Sequence, residues 1–486
     1  MRWAVPGPTL KRRYRFALTL VAITFLWPRP LHAQASSAEQ TSNAPVEATT
    51  PLRVTLQQGQ VLAIQALQAG RPKLAYQLSE AVLAADPHNG EAHYTQALAF
   101  TMVGAHGHAR QSAGRAYTHS ISPEQKFQSA QLASQAAYKG DQLSWSQFWL
   151  RRAVQHAPNE EVRQDTIRVF QTVRHRNPLK FRLNFSIRPS NNVNNGANSP
   201  FNIIEGQPSG GIISQSAQAI DGQVAVADVN FSYRLAETER SETQAIGRIY
   251  TRQVRFNDSV PGISASDLTT WRAEGGARHI RTTQDGKRQW QFALVGGRIW
   301  YGGDPLYDYA RFELDRHQML TEKLRFSLGG ALERQQGEAR TSSDATQYLV
   351  YTQLRYSFAN GSTLGGFVSF RDLESDGFNR SNEQITGVLR FTLGRTLGPA
   401  TLSVSLGKSS VDYDSFVVPG FPFFGGPVAG GRQDDAIFAG VSAAFKEWSY
   451  MGFVPTLSLN TSHTDSNVSR FEVDETSLSL GIRSEF

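Results

Sequence analysis

The sequence predicts a chain of α + β multidomain class, in which an amino-terminal α-helical repeat domain precedes a carboxy-terminal antiparallel β-barrel of about 14 strands that crosses a membrane. Three observations carry this expectation. Gly and Pro recur at intervals of about 35 residues between positions 52 and 176. From Phe181 onward the apolar residues change to a period of two. No stretch reaches the ~20 consecutive apolar residues that span a bilayer as a helix, so a membrane crossing in this chain needs strands.

Residues 1–35 read as a secretory signal peptide. Arg2 to Arg15 form a basic start, Phe16 to Trp27 an apolar stretch, and Ala33-Gln34-Ala35 a small-x-small cleavage site, which places the mature start near Ser36. Twelve apolar residues are too few for an uncleaved anchor. Arg12-Arg13 leaves the twin-arginine route open. The segment also explains the net charge of +7: it holds six of the 49 basic residues and no acid, so 43 bases face 42 acids in the remainder. A global basic field for nucleic acid is thereby excluded. The chain has no Cys, which excludes a disulfide scaffold, a thiolate zinc site, a thiol nucleophile and a lipid-modified amino-terminal Cys.

After a Ser/Thr/Ala-rich linker at 36–51, residues 52–176 are rich in Ala, Gln, Leu and His, the mix of packed helices. Gly70, Gly104 and Gly140 are placed to turn the chain between antiparallel helices, and Pro87, Pro123 and Pro158 to end the second helix of each pair. This is the layout of a tetratricopeptide repeat. Most large aromatic positions of that repeat are missing, and Tyr94, Phe100, Tyr117 and Phe127 are expected to be packing residues. Stacked repeats offer a concave face for extended peptide segments, so this region is expected to dock a partner or to act as a spacer.

The barrel is assigned to 177–486. In Phe181-Arg182-Leu183-Asn184-Phe185-Ser186-Ile187-Arg188 every odd residue is apolar and every even one polar, the mark of a strand with one greasy and one wet face. Similar runs centre near residues 184, 230, 249, 273, 294, 310, 327, 351, 367, 388, 404, 440, 457 and 480. Short connections near 236–242, 282–287, 359–362, 394–400 and 446–449 alternate with long ones at 189–219, 256–266, 335–345, 372–382, 409–433 and 461–474. That asymmetry, an even strand count and aromatics for interface girdles (Trp271, Trp300, Tyr301, Tyr307, Tyr309, Trp448, Tyr450) favour an outer-membrane barrel over a soluble sandwich. Both ends of an even-stranded barrel return to the periplasm, where the helical domain is then expected. Leu478, Leu480, Ile482 and the terminal Phe486 resemble the signal by which barrels are handed to the assembly machinery, with Ser484 departing from the pattern.

Motifs for chemistry are few. Gly-x-Ser-x-Gly, Gly-x-x-x-x-Gly-Lys and His-Glu-x-x-His are absent, and no cofactor or enzymatic activity is expected. His106 and His108 point about 200° apart on a helix and cannot share a metal. If odd residues of the first strand face lipid, Arg182, Asn184, Ser186 and Arg188 face the lumen. Arg234, Arg248, Arg252, Arg298 and Arg371 are candidates to join them in a polar conduit, or to pair with internal acids.

Signal peptide, helical repeats and a fourteen-stranded barrel ending in Phe486 together resemble the surface lipoprotein assembly modulator family. The local element that carries this is the first strand followed by Asn191, Asn192, Asn194, Asn195 and Gly196. The resemblance implies an outer-membrane translocator of a Gram-negative bacterium. Its client would be a surface lipoprotein or a secreted soluble protein, captured by the helical domain directly or through a periplasmic chaperone. It would pass by a polar path or by a seam between first and last strands, with the barrel-assembly machinery and outer-membrane lipid as its other partners. An exopolysaccharide exporter and a passive porin are the competing readings.

Overall fold

A computed structural model of the chain describes residues 54–338, 344–418 and 426–484. The signal peptide, the linker at 36–51 and Phe486 lie outside the described residues.

Seven helices come first: α1 Leu56–Gln68, α2 Pro72–Ala85, α3 Gly90–Met102, α4 His106–His119, α5 Pro123–Lys139, α6 Leu143–Gln155 and α7 Glu160–Arg176. Four of them, α1, α3, α5 and α7, start on good capping residues. Thr55 and Ser122 form capping boxes with Gln58 and Gln125, while Asn89 and Asn159 accept the amides of Ala92 and Val162. Gly70 and Gly104 turn α1 into α2 and α3 into α4 with φ of 68° and 74°, the left-handed conformation that glycine adopts without strain. In the third turn Gly140 has an ordinary φ of −84°, and the left-handed residue is Asp141 at 56°. Pro87 and Pro158 follow α2 and α6 as expected. Pro123 does not end a helix: it opens α5 at the first helical position, where its missing N–H is no loss and its fixed φ suits the helix.

The missing consensus aromatics have a packing reason. Ala97, Ala113, Ala130, Ala133 and Ala153 are fully buried around Trp149, so the helices approach closely and one large ring fills the space between them. A Cβ on Gly114 would stand 2.9 Å from that ring. Tyr94, Tyr117 and Phe127 pack against this cluster, and Phe100 lies 5.2 Å from Tyr76, so all four are packing residues.

The strands close on themselves. In chain order they are β1 Leu179–Ser190, β2 Gly222–Glu237, β3 Ser241–Phe256, β4 Thr270–Thr282, β5 Arg288–Tyr301, β6 Asp304–Met319, β7 Leu324–Gly337, β8 Ala345–Ser357, β9 Thr363–Ser375, β10 Asn382–Thr392, β11 Thr401–Tyr413, β12 Gln433–Ala444, β13 Phe453–Ser466 and β14 Val473–Ser484. Each pairs antiparallel with the next, and β14 returns to β1, giving a closed fourteen-stranded barrel. Every strand centre read from the sequence falls inside one of these strands. Exposed Phe231, Leu294, Leu332, Leu389, Leu406 and Leu480 form part of an outward apolar belt.

Strand connections at the end carrying the helices, hereafter the turn end, are short, for example 238–240 and 283–287. The opposite, loop end has 191–221, 257–269 and 414–432, with small hairpins Phe201–Ile204/Gln207–Ile212 and Phe416–Val417/Pro427–Val428 folded within them. The asymmetry is not uniform: the loop-end connections 338–344, 376–381 and 467–472 are shorter than 393–400 and 445–452 at the turn end. Between β5 and β6 the chain reverses in only Gly302 and Gly303, with φ of 63° and 96°, as a two-residue hairpin requires.

Burial holds the His93 imidazole below its ordinary value against a smaller opposing pull from the Pro87 carbonyl, and burial lowers His156 likewise. Both are neutral in the fold and protonate more readily once unfolded, so their contribution is present above the unfolded value of about 6.5 and fades as pH falls below it. Helical circular dichroism of the full chain is expected to melt at lower temperature at about pH 5.5 than at about pH 7.5, and His93→Gln/His156→Gln is expected to flatten that dependence.

Candidate functional site

The lumen has two unlike walls. On β2 to β7 and the loop-end part of β8, many inward residues are long and polar or charged, and several are paired. Arg248 donates from Nε and Nη2 to the two carboxylate oxygens of Asp228 at 2.8 and 3.1 Å. Arg311 reaches Glu313 at 2.6 Å, Glu333 at 3.0 Å and Glu274 at 3.4 Å. Tyr309 donates its hydroxyl to Glu274, and Tyr351 donates to Asp315. The side chains of Glu274 and Glu333 are only 9% exposed, and carboxylates so desolvated need such partners. Ala293, Val295 and Ile299 pack with Tyr309 beside this lattice and fill part of this half of the barrel.

The other wall, β9 to β14 and β1, carries small hydroxyls. Thr392 meets Ser403 at 2.9 Å and Thr386 meets Ser409 at 3.0 Å. Such short side chains leave room, and a cavity of about 800 Å³ lies against them, lined among others by Asn184, Ser186, Ser403, Ser442, Ser458 and Arg390. A second cavity of about 430 Å³ lies toward the charged wall, lined by Lys180, Arg182, Asn184, Asn230, Arg248 and Glu274.

The barrel closes at the β1–β14 seam, the shortest of its ladders. Asn184–Ile187 pair with Leu480–Arg483, Ser190 pairs with Ser477, and the register lapses at Arg188 and Pro189, where proline has no N–H to give. By contrast β1 pairs with β2 from Leu179 to Ser190. Side chains take over toward the loop end of the seam. Arg188 donates to Glu475 at 2.7 Å, and Ser190 donates to the same carboxylate at 3.0 Å. Asn191 accepts the Thr476 amide at 2.8 Å, and Asn192 donates to the Asp474 carbonyl at 3.3 Å. Asn198 accepts the Asp474 amide at 2.7 Å and donates to its carboxylate at 2.8 Å. Asn192 also grips both backbone groups of Gly196, and Asn194 donates to the carbonyls of Ser216 and Gln218. Asn195 supplies a left-handed turn residue with φ of 53°. The Asn-rich segment is therefore a set of stitches.

At the loop end, Ile204, Phe416, Val418, Val428, Val468 and Phe471 from three loops share a small core. Arg432 lies 3.6 Å over the Phe471 ring and 3.8 Å over Tyr413, with its charge paired to Asp434 at 3.0 Å. At the turn end the helices are bolted to the sheet. Buried Asn177, at the end of α7, donates to Ser144 and Gln147 and accepts the Leu179 amide. Arg234 donates to the carbonyls of His175 and Arg176, and Arg151 stacks near Phe170, Phe181 and Phe453. In the helical domain Tyr94, Leu98, Gln131, Gln135, Tyr138 and Val169 line a groove of about 780 Å³ on α3, α5 and α7.

The sequence-predicted residues thus separate. Arg182, Asn184 and Arg248 face the lumen, Arg188 belongs to the seam, and Arg234 serves the joint with the helices. Arg252 pins the loops through the carbonyls of Val193 and Leu268, and Arg371 donates to Asn382. Arg298 is a correction: it shares the parity of the outward, exposed Phe292 and Leu294 and pairs on the outer face with Asp308 at 2.5 Å. Tyr307 and Tyr309 are corrected in the opposite sense, since both pack into the lumenal cluster rather than a girdle. Leu478, Leu480 and Ile482 face outward. Glu475, Asp474 and the inward cations Arg355, Arg390 and Arg483 were not singled out by sequence, although alternation with Leu354, Leu389 and Ile482 marks these cations as inward. Among the described residues no group of His, Asp and Glu is placed to hold a metal.

A family model described as surface lipoprotein assembly modifier matches residues 180–486. No curated protein matches the chain. Among solved structures, outer-membrane OmpT of Vibrio cholerae is similar at 9% identity over 63% of this chain and 97% of that one, with a TM-score of 0.34. The helical part is similar to the type III secretion translocator chaperone SycD of Yersinia enterocolitica at 17% identity, covering 25% of this chain and 84% of that one, with a TM-score of 0.22.

Asn192→Ala would strip Gly196 of both partners in a buried loop, and is expected to cost about 1–3 kcal/mol. The readout is a lower temperature for loss of the compact band in detergent gels, with Asn195→Gly, which keeps the left-handed turn, close to unchanged.

Proposed function

This chain belongs to the surface lipoprotein assembly modifier family, and from that premise we propose that it is an outer-membrane translocator that carries a surface lipoprotein, or a secreted soluble protein, from the periplasm to the cell surface. One observation carries the reading beyond the family. A concave helical groove is fixed by Asn177, Arg234 and Arg151 to the turn end of a barrel whose lumen is half empty and lined with hydroxyls. In this reading the helical domain lies in the periplasm and captures the client or a chaperone that escorts it, and the fixed joint delivers the client to the lumen mouth. The hydroxyl wall then offers hydrogen bonds without a hydrophobic grip, as a moving chain needs. The β1–β14 seam, short in ladder and held by polar side chains, is the place where a large client can leave sideways. The barrel-assembly machinery inserts the protein, outer-membrane lipid surrounds it, and the driving force comes from client folding or binding outside.

Deletion of residues 52–176 is expected to leave barrel insertion intact and to abolish export, with the client accumulating in the periplasm. The check is mass spectrometry of surface-shaved, secreted and periplasmic fractions beside a strain lacking the whole protein. Unchanged export by the deletion variant would remove the docking role, and loss of a polysaccharide instead of a protein in the null strain would replace the reading with sugar export.

A further inference from the structure

The larger lumenal cavity has a charge that nothing around it balances. Arg355, Arg390, Lys446 and Arg483 all line it, and no Asp or Glu does. Elsewhere in the lumen Arg188, Arg248 and Arg311 each hold a carboxylate. None of the four cavity cations has an ion pair with an acid among the described residues.

Their placement follows from the register. Arg355 of β8 stands opposite Gly365 of β9, which stands opposite Arg390 of β10. Two arginines therefore sit at one level, about 10 Å apart across two strand spacings. The residue between them has no side chain, and a Cβ built on Gly365 meets nothing closer than the carbonyls of Arg390 and Leu354 at 3.9 Å. On the opposite side Arg483 of β14 is level with Asn184 of β1, and Lys446 comes from the turn after β12. The result is a positively charged vestibule in the turn-end half of the lumen, with space at its centre and Ser403, Ser442, Thr456 and Ser458 between the charges. Like charges gathered around a water-filled space concentrate anions there.

Resting on the translocator reading, we propose that this vestibule receives an acidic, extended segment of the client polypeptide, its carboxylates paired with Arg355, Arg390, Lys446 and Arg483 and its peptide groups with the hydroxyl wall. The cavity lies beside hydroxyls that accept from and donate to any peptide group, which suits an extended chain.

The test is fluorescence anisotropy on the purified full-length protein in detergent micelles, with a dye-labelled peptide of roughly ten residues alternating Glu with Ser, and its Gln counterpart as control. The acidic peptide is expected to bind at least ~10-fold more tightly than the Gln peptide at low salt and to lose most of that margin at ~0.5 M salt. Arg355→Glu/Arg390→Glu is expected to remove the preference, Arg355→Gln/Arg390→Gln to weaken it, and Arg298→Gln on the outer face to leave it unchanged. A compact band in unheated detergent gels shows that each variant is folded. Equal binding of the Gln peptide, or an unaltered preference in the folded Arg355→Gln/Arg390→Gln variant, overturns the proposal. So does a sulfated oligosaccharide that binds in preference to the acidic peptide. If the peptide fails to bind while deletion of 52–176 still stops export, only this inference falls. If it binds while the deletion variant exports normally, docking by the helical domain falls and the vestibule stands.

Discussion

Closure of β1 on β14 is the constraint on which the rest of the molecule depends. In hydrocarbon there is no water to satisfy an open sheet edge, so a sheet that crosses a bilayer must return to its own first strand. Here the closing ladder is short and is interrupted at Arg188 and Pro189, and the shortfall is met by Glu475, Ser190 and a run of asparagines anchored on Asp474 and Thr476. The side chains that close the seam come from the end of β1, from the loop that follows it and from β14. Chain segments nearly three hundred residues apart are thereby held together, and the position of every strand between them follows.

Much of this architecture is legible in the chain because a barrel writes its two faces into alternate residues. Phe181 to Arg188 announce a strand by alternation alone, and the same alternation places Arg355 and Arg390 inside. Arg298 was assigned to the wrong face by residue type alone, since Phe292 and Leu294, of the same parity, already mark its face as the outer one. Tyr307 and Tyr309 mislead for the opposite reason: aromatics near a strand end suit a lipid boundary, yet here they fill the interior beside Glu274. The partners in the lattice were beyond reach, because Arg311 meets Glu274 and Glu333 across strands whose relative register is set by tight turns and a bulge. In the helices, the Gly and Pro period located the turns, but a proline that stops one helix and a proline that starts the next look alike in sequence, as Pro123 shows. The Asn-rich segment was noticed for its composition. Its work as a stitch depends on β14 lying beside β1, which no local pattern reveals.

The helical and barrel parts are joined by hydrogen bonds and stacked arginine rather than by a loose tether. Asn177 is 3% exposed and satisfied on three sides, so the last helix and the first strand meet at a fixed angle. A partner held in the helical groove is then presented to the barrel from a constant direction. Arg234, read from sequence as a lumenal residue, belongs to this joint: its guanidinium takes two carbonyls at the end of α7, which is also where the helix dipole favours a cation.

The unequal filling of the lumen has a mechanical consequence. The larger cavity is lined mainly by the wall that contains the seam, while ion pairs crowd the wall of β2 to β8. Whatever enters travels off centre. Sideways force from a swollen or partly folded passenger falls on the strands with the fewest backbone bonds between them, while the braced wall behind it does not yield. In the proposed translocator, one chamber would serve a narrow passenger along its length and a wide one through its side.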